Sequence, residues 1–95
     1  MVLLNYSESK AWEKSCDYWD RPRRCCVWYD EARFHAVRYY TETAQCSLYE
    51  WKNGTWGPTK SIPVLVHEPA FISAVAKKEL GHGDQGSESK ADTIQ

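Results

Sequence analysis

The chain has few aliphatic side chains for its length. Leucine, isoleucine and valine supply fourteen of its 95 residues. With phenylalanine added, the total stays below the fifth that usually accompanies a packed domain. Such a composition predicts disorder when the net charge is also high, but the net charge here is −1. The aliphatic deficit therefore does not exclude a folded domain.

An excess of charge and a long apolar run are absent as well. The chain has twelve Lys and Arg and thirteen Asp and Glu, so we expect no general attraction to nucleic acid or to an anionic membrane. No apolar run approaches the roughly 20 residues of a membrane span. The first residues, 1–8, lack the basic start and cleavage site of a secretory signal. These absences predict a cytoplasmic protein, and the length predicts one small domain.

The four cysteines do not have the spacing of a zinc motif. Cys25 and Cys26 are adjacent, so in a strand they would point to opposite faces. At most one of them could then join Cys16, Cys46 and His35 around a metal. A reducing cytoplasm keeps such thiols unoxidised. We therefore predict four free thiols, no metal and no cofactor.

Aromatic side chains are abundant, with five Trp, six Tyr and two Phe. Each buried ring covers on the order of 150–250 Å², so thirteen rings can replace the missing aliphatic surface. We expect an aromatic core, and the sequence places Trp12, Trp19, Phe34 and Phe71 in it.

Helix signals lie at both ends of the chain. Ser7 is a suitable N-cap for a helix from about Glu8 to Asp20, which Pro22 would end. Near the other end, Pro69 suits a first helical position and Gly81 can terminate the helix.

Four strands are predicted between these helices, over residues 25–29, 33–41, 45–51 and toward 61–66. Residues 31–41 also fit a helical spacing, but their Val, Tyr and Thr content favours a strand. Asn53-Gly54 predicts a hairpin, and Pro63 predicts that the last strand lies at an edge.

The predicted fold class is therefore α+β, over residues 5–80. It has an N-terminal helix, a four-stranded antiparallel meander and a C-terminal helix packed on one sheet face. Residues 81–95 contain one large apolar residue and are predicted to form a disordered, flexible tail.

An arginine cluster, Arg21-Pro22-Arg23-Arg24, lies between Trp19 and the pair Trp28-Tyr29. Guanidinium groups beside rings bind single-stranded nucleic acid, and the same residues are enriched in protein–protein hot spots. Alternatively, the arginines pair with nearby aspartates and the rings belong to the core.

A second ring group, Tyr49, Trp51 and Trp56, surrounds the predicted hairpin. If Cys46 and Leu48 face the helices, Tyr49 and Trp51 stand on the open face of the sheet. In the opposite register they are core residues, and the sequence leaves both arrangements open.

No catalytic set stands out. A Cys–His pair with His35 or His67 as base would need an orienting group and an oxyanion hole, which spacing alone does not supply. The chain has no glycine-rich phosphate loop. We therefore expect a protein that is not an enzyme.

The resulting hypothesis is a non-enzymatic protein-binding module that docks on a larger protein or enzyme complex and modulates or inhibits it. Phages and mobile elements use short, aromatic-rich domains without catalytic motifs as inhibitors or adaptors of larger host complexes. The alternative is a single-stranded nucleic-acid binder that uses the same residues. The predicted contact residues are Arg21, Arg23, Arg24, Trp28, Tyr29, Tyr49, Trp51 and Trp56.

Overall fold

The computed structural model describes residues 4–81, which form two helices and one five-stranded sheet. The strands lie in chain order, and each is antiparallel to its neighbours. The predicted α+β meander is therefore confirmed, with five strands in place of four. Residues 82–95 of the predicted tail lie outside the described residues. The elements are α1 (Tyr6–Ser15), β1 (Tyr18–Asp20), β2 (Cys25–Tyr29), β3 (His35–Tyr40), β4 (Gln45–Lys52), β5 (Thr55–Ser61) and α2 (Pro69–Glu79).

Helix α1 begins earlier than the sequence predicts. Its N-cap is Asn5, whose side chain accepts a hydrogen bond of 2.8 Å from the Glu8 backbone N–H. The Glu8 carboxylate in turn accepts one of 3.0 Å from the Asn5 N–H. This capping box satisfies two amides that the first turn leaves without partners. Ser7, the predicted N-cap, is instead a residue of the first turn.

Replacing Asn5 by alanine is expected to lower the free energy of unfolding by about 1 kcal/mol, because Glu8 loses its cap acceptor. Urea denaturation followed by circular dichroism measures the change. Ser7→Ala is the matched control, and we expect it to shift stability by less than about 0.5 kcal/mol. Equal losses in the two variants would contradict the assignment of the cap to Asn5.

The same helix also ends earlier than predicted, at Ser15, and β1 occupies part of the predicted helical segment. Side chains satisfy carbonyls that the last turn leaves open. The Ser15 hydroxyl donates to the Trp12 carbonyl at 2.9 Å, and the Trp28 indole N–H donates to the Ser15 carbonyl at 2.8 Å. The backbone is extended at Cys16, and β1 then pairs with β2, where Trp19 lies opposite Cys26.

All four sheet turns contain a residue in the left-handed region. At the last turn, Asn53 and Gly54 have φ values of 55° and 78°, the conformation that the Asn-Gly pair predicts. The other turns use non-glycine residues, namely Arg24, Arg33 and Ala44. Two of these are arginines, so the backbone conformation of the turns determines the direction of two arginine side chains.

Strand β5 ends where the sequence predicts the last strand to begin. After the hairpin the chain returns directly along β4, with Trp51 opposite Trp56. The predicted segment 61–66 is therefore mostly a connection to α2, with Ile62 buried at its start. The strand does form an edge, as predicted. Its proline is Pro58 rather than Pro63, next to a bulge in the pairing with β4.

The two helices cover one face of the sheet. Trp12 of α1 and Ile72 and Ala76 of α2 are buried there against Trp28, Val37 and Tyr39. Trp12 stacks on Tyr39 with ring centroids 4.9 Å apart, which confirms an aromatic core. No helix within residues 4–81 is long and apolar enough to cross a membrane.

Two predicted core rings lie at the surface instead. Phe34 is 56% exposed and Phe71 is 39% exposed. Phe34 precedes β3 in the turn from β2, and Phe71 lies in the first turn of α2. By contrast, Trp12 is buried and Trp19 packs against the helix-covered core. The sequence placed Phe34 inside a strand, whereas it lies in the turn before β3, and the helical spacing of Phe71 does not show how much of its ring stays exposed.

Candidate binding surface

The open face of the sheet is the face that neither helix covers. Cys46 and Leu48 pack in the helix-covered core, so their neighbour Tyr49 points to the open face. A second apolar cluster lies there, made of Cys25, Val27 and Ala36. Tyrosine and tryptophan rings cover it, and these rings are Tyr29, Tyr40, Tyr49 and Trp56. The structure thus selects the register in which the ring group stands on the open face.

Two arginines lie over these rings. The Arg33 guanidinium carbon is 4.5 Å from the centroid of the Tyr29 ring, and that of Arg38 is 4.2 Å from the centroid of Tyr49. Both distances are well within the range of cation–π attraction. Burial lowers the pKa of Arg38, but a hydrogen bond to Tyr40 and electrostatic attraction to Tyr40, Tyr49 and Cys25 together raise it above its ordinary value. The guanidinium is therefore fully charged on the sheet.

The aromatic cleft lies at one end of the open face. It is a shallow depression of about 480 Å³ lined by Tyr29, Arg33, Phe34, Trp51 and Trp56. Its rings contact one another, since the ring centroids of Trp51 and Trp56 are 5.4 Å apart in an edge-on arrangement and those of Tyr29 and Trp56 are 5.9 Å apart. Phe34 and Trp51 remain substantially exposed. The cleft therefore combines apolar surface with one cation.

The charge on the open face is mainly positive. Within the described part of the chain, neither Arg33 nor Arg38 forms an ion pair with a carboxylate. Asp20, at the β1 edge, already pairs with Arg23 at 3.1 Å. A guanidinium that stacks on a ring keeps its N–H donors for a partner. Arg38 also forms a hydrogen bond with Tyr40.

The arginine turn, residues 21–24 between β1 and β2, lies at the opposite end of the sheet. β2 runs from Cys25 beside this turn to Tyr29 in the aromatic cleft, a span of roughly 13 Å at about 3.3 Å per residue. The structure therefore does not join the two predicted residue groups into one surface. Arg21 and Arg24 instead line a groove beside α1.

Of the predicted contact residues, Trp28 cannot meet a partner. It is 2% exposed in the helix-covered core, and its indole N–H is bonded to α1. Side chains alternate between the two faces along β2, so Trp28 lies on the helix-covered face while Val27 and Tyr29 lie on the open face. Tyr29, Tyr49, Trp51 and Trp56 do lie together on the open face.

The arginines and the phenylalanine of the open face were missed. Arg33, Phe34 and Arg38 looked like parts of one ordinary strand, because the predicted segment 33–41 contained all three. Strand alternation was sufficient to predict the position of Arg38, since Arg38 lies on the same face of β3 as Ala36 and Tyr40. It was not sufficient for Arg33, because the position of Arg33 depends on the left-handed turn.

Within residues 4–81, the side chains of both histidines contact residues other than cysteine. His35 bonds Asp30 at 3.1 Å, and the His67 ring nitrogen lies 2.7 Å from the Tyr39 hydroxyl. All four cysteines carry free thiols, with Cys25 and Cys26 on opposite faces as predicted. Within residues 4–81, no three His, Cys, Asp or Glu side chains converge on a point that could hold a metal.

Comparison with protein-family models, with curated protein sequences and with solved structures finds no match to this chain.

Proposed function

We propose that this chain is a non-enzymatic, cytoplasmic protein-binding module that docks on an acidic surface of a larger protein through its open face. One observation carries the proposal. Arg33 and Arg38 are stacked on Tyr29 and Tyr49, and neither forms an ion pair within residues 4–81. By covering the surface it binds, such a module modulates or inhibits its partner.

The geometry suits a carboxylate-bearing partner. Stacking fixes the plane of each guanidinium before binding, so fewer rotamers are lost when it takes a carboxylate in a two-point contact. The exposed rings of Phe34 and Trp51 flank Arg33 in the aromatic cleft. Aromatic anchors beside arginine are the residues that dominate the energy of protein interfaces.

Single-stranded nucleic acid is less well matched. Base stacking needs flat ring faces that are open to solvent. Here the guanidinium groups cover the faces of Tyr29 and Tyr49, and Trp51 meets Trp56 at 62° rather than in parallel. The net charge of −1 also lacks the basic excess of a nucleic-acid binder.

Truncation of the cleft tests the proposal. A partner is first obtained from the native host by cross-linking, then purified, and its affinity for each variant is measured by calorimetry. We expect Trp51→Ala and Arg33→Asn each to weaken binding about 30-fold, the size of a hot-spot loss near 2 kcal/mol. Asparagine is chosen at position 33 because it tolerates the left-handed φ of 64°.

Leu65→Ala is the control, because Leu65 is almost fully exposed but lies in the connection from β5 to α2. It should leave the affinity unchanged. An affinity that survives both cleft variants would refute the proposal. Salt-sensitive binding of a labelled oligonucleotide with quenching of tryptophan fluorescence would favour the nucleic-acid alternative instead.

A further inference from the structure

We propose that the groove between α1 and the arginine turn is a binding site for a phosphate monoester. This groove, called the α1 groove below, has a volume of about 440 Å³, within the range of small-ligand sites. It lies on the side of β1 that packs against α1, because Trp19 belongs to the helix-covered core. The site is therefore separate from the open face, and the proposal does not depend on the proposed function.

Three cations line the α1 groove and one carboxylate opposes them. Lys10, Arg21 and Arg24 are the cations, and Glu13 is the carboxylate. Glu13 is engaged by Lys10 at 3.5 Å. Within residues 4–81, neither Arg21 nor Arg24 pairs with a carboxylate. The groove thus keeps two uncompensated guanidinium groups in a chain whose net charge is −1.

The backbone holds Arg24 in place. Its carbonyl accepts two hydrogen bonds from Thr41, one from the hydroxyl at 2.8 Å and one from the backbone N–H at 3.1 Å. Its φ of 54° turns the chain from β1 into β2. The side chain then reaches α1, where a guanidinium N–H donates to the Ser9 hydroxyl at 3.4 Å. Arg24 therefore bridges the two walls of the groove.

The shape and polarity point to a phosphate on an organic group. A phosphate monoester carries a charge of about −1.5 to −2 at neutral pH and three acceptor oxygens, which suit two guanidiniums and a hydroxyl. The Trp19 ring lines the same groove and offers an apolar surface for the organic part of the ligand. A phosphorylated side chain of a protein and a free phosphorylated metabolite share this chemistry.

Titration of the ¹⁵N-labelled full chain at low salt, followed by NMR, tests the site. The probes are phenyl phosphate and a short phosphoserine peptide. We expect saturable shifts of the Trp19 indole and of the Ser9 and Arg24 amides. Tighter binding of the peptide would identify a protein source, and tighter binding of phenyl phosphate a small-molecule source; either outcome supports the site.

Charge-removing variants make the test specific. Arg24→Gln and Arg21→Gln should each weaken phenyl phosphate binding about tenfold, the loss expected for one charge-assisted contact. Arg23→Gln is the matched control, because Arg23 pairs with Asp20 and does not line the groove. Arg21 is exposed, so its variant remains informative if Arg24→Gln lowers stability.

Three results would overturn the proposal. The first is the absence of saturation below about 10 mM phenyl phosphate, an affinity too weak for a built site. The second is an equal loss of binding in Arg23→Gln and Arg24→Gln, which would show that binding depends on the total charge of the turn and not on the groove. The third is tighter binding of a single-stranded oligonucleotide than of either monoester, which would assign the groove to phosphodiesters.

Discussion

Replacing Trp28 by alanine is expected to lower the free energy of unfolding by about 3–5 kcal/mol. Trp28 is among the largest fully buried side chains, and truncation opens a cavity between the sheet and the helices. It also removes the indole N–H from the Ser15 carbonyl, which leaves an acceptor at the end of α1 without its donor. Domains of this kind have about 5–15 kcal/mol of stability in total, so chemical denaturation should show a large shift in midpoint.

The matched control is Trp51→Ala. Trp51 is 40% exposed on the open face and contacts Trp56 there, so its loss should lower stability by less than about 1 kcal/mol. Equal destabilisation by the two variants would contradict the assignment of the helices to the Trp28 face. The comparison also checks that loss of binding in Trp51→Ala does not come from unfolding.

Raising the pH above 9 is expected to weaken the fold by several kcal/mol. Burial raises the pKa of Cys25 to about 12 and that of Cys46 to about 11, from an ordinary value of 9.0. The pKa of Cys26 is raised as well, by its hydrogen bond to Cys16 and by burial. Each of these thiols lies in the sheet interior, where a thiolate would be poorly solvated.

The sign follows from proton linkage. Below pH 9 these thiols are protonated in both states and their contribution is fully present. Above it, the unfolded chain releases protons that the folded chain retains. Each thiol then removes about 1.4 kcal/mol of stability per pH unit, until its folded pKa is reached. The loss therefore extends from pH 9 to about 11 for Cys46 and to about 12 for Cys25.

Urea denaturation at several values between about pH 8 and pH 11 measures this slope. Cys46→Ala should flatten it, because that variant lacks one of the titrating thiols, whereas other titrations are common to both proteins. Ser7→Ala should not flatten it, because Ser7 is exposed on α1 and contributes to the raised pKa of none of these thiols. A slope that is unchanged in Cys46→Ala would show that this thiol does not titrate with unfolding.

The difference between the predicted and observed first helix shows the limit of local signals. The spacing of Trp12 and Trp19 fits one helical face, yet Trp19 lies in β1 opposite Cys26. Both arrangements bury the indole against the same core. The choice is made by strand pairing and by the Trp28 indole at the carbonyl of Ser15, which are contacts between distant parts of the chain. Helix periodicity does not contain them.

Local signals likewise predict only a part of the candidate surface. Strand alternation predicts that Tyr49 and Trp51 share one face, and the Asn-Gly hairpin predicts that Trp56 lies near them. Their meeting with Arg33 does not follow, because it needs the left-handed turn that carries that arginine back over Tyr29. The separation of the arginine turn from the rings also depends on the sheet, since β2 puts Arg24 and Tyr29 at opposite ends.

Local sequence signals are sufficient to predict the α+β class, the antiparallel meander, the second helix between Pro69 and Gly81 and the opposite orientation of Cys25 and Cys26. These features depend on periodicity, turn residues and helix ends, which act over a few residues. Which sheet face the helices cover, and therefore which rings are core and which are surface, depends on tertiary packing. A strand has two faces of similar composition here, and the packing of two helices on one of them is a contact between segments far apart in the chain.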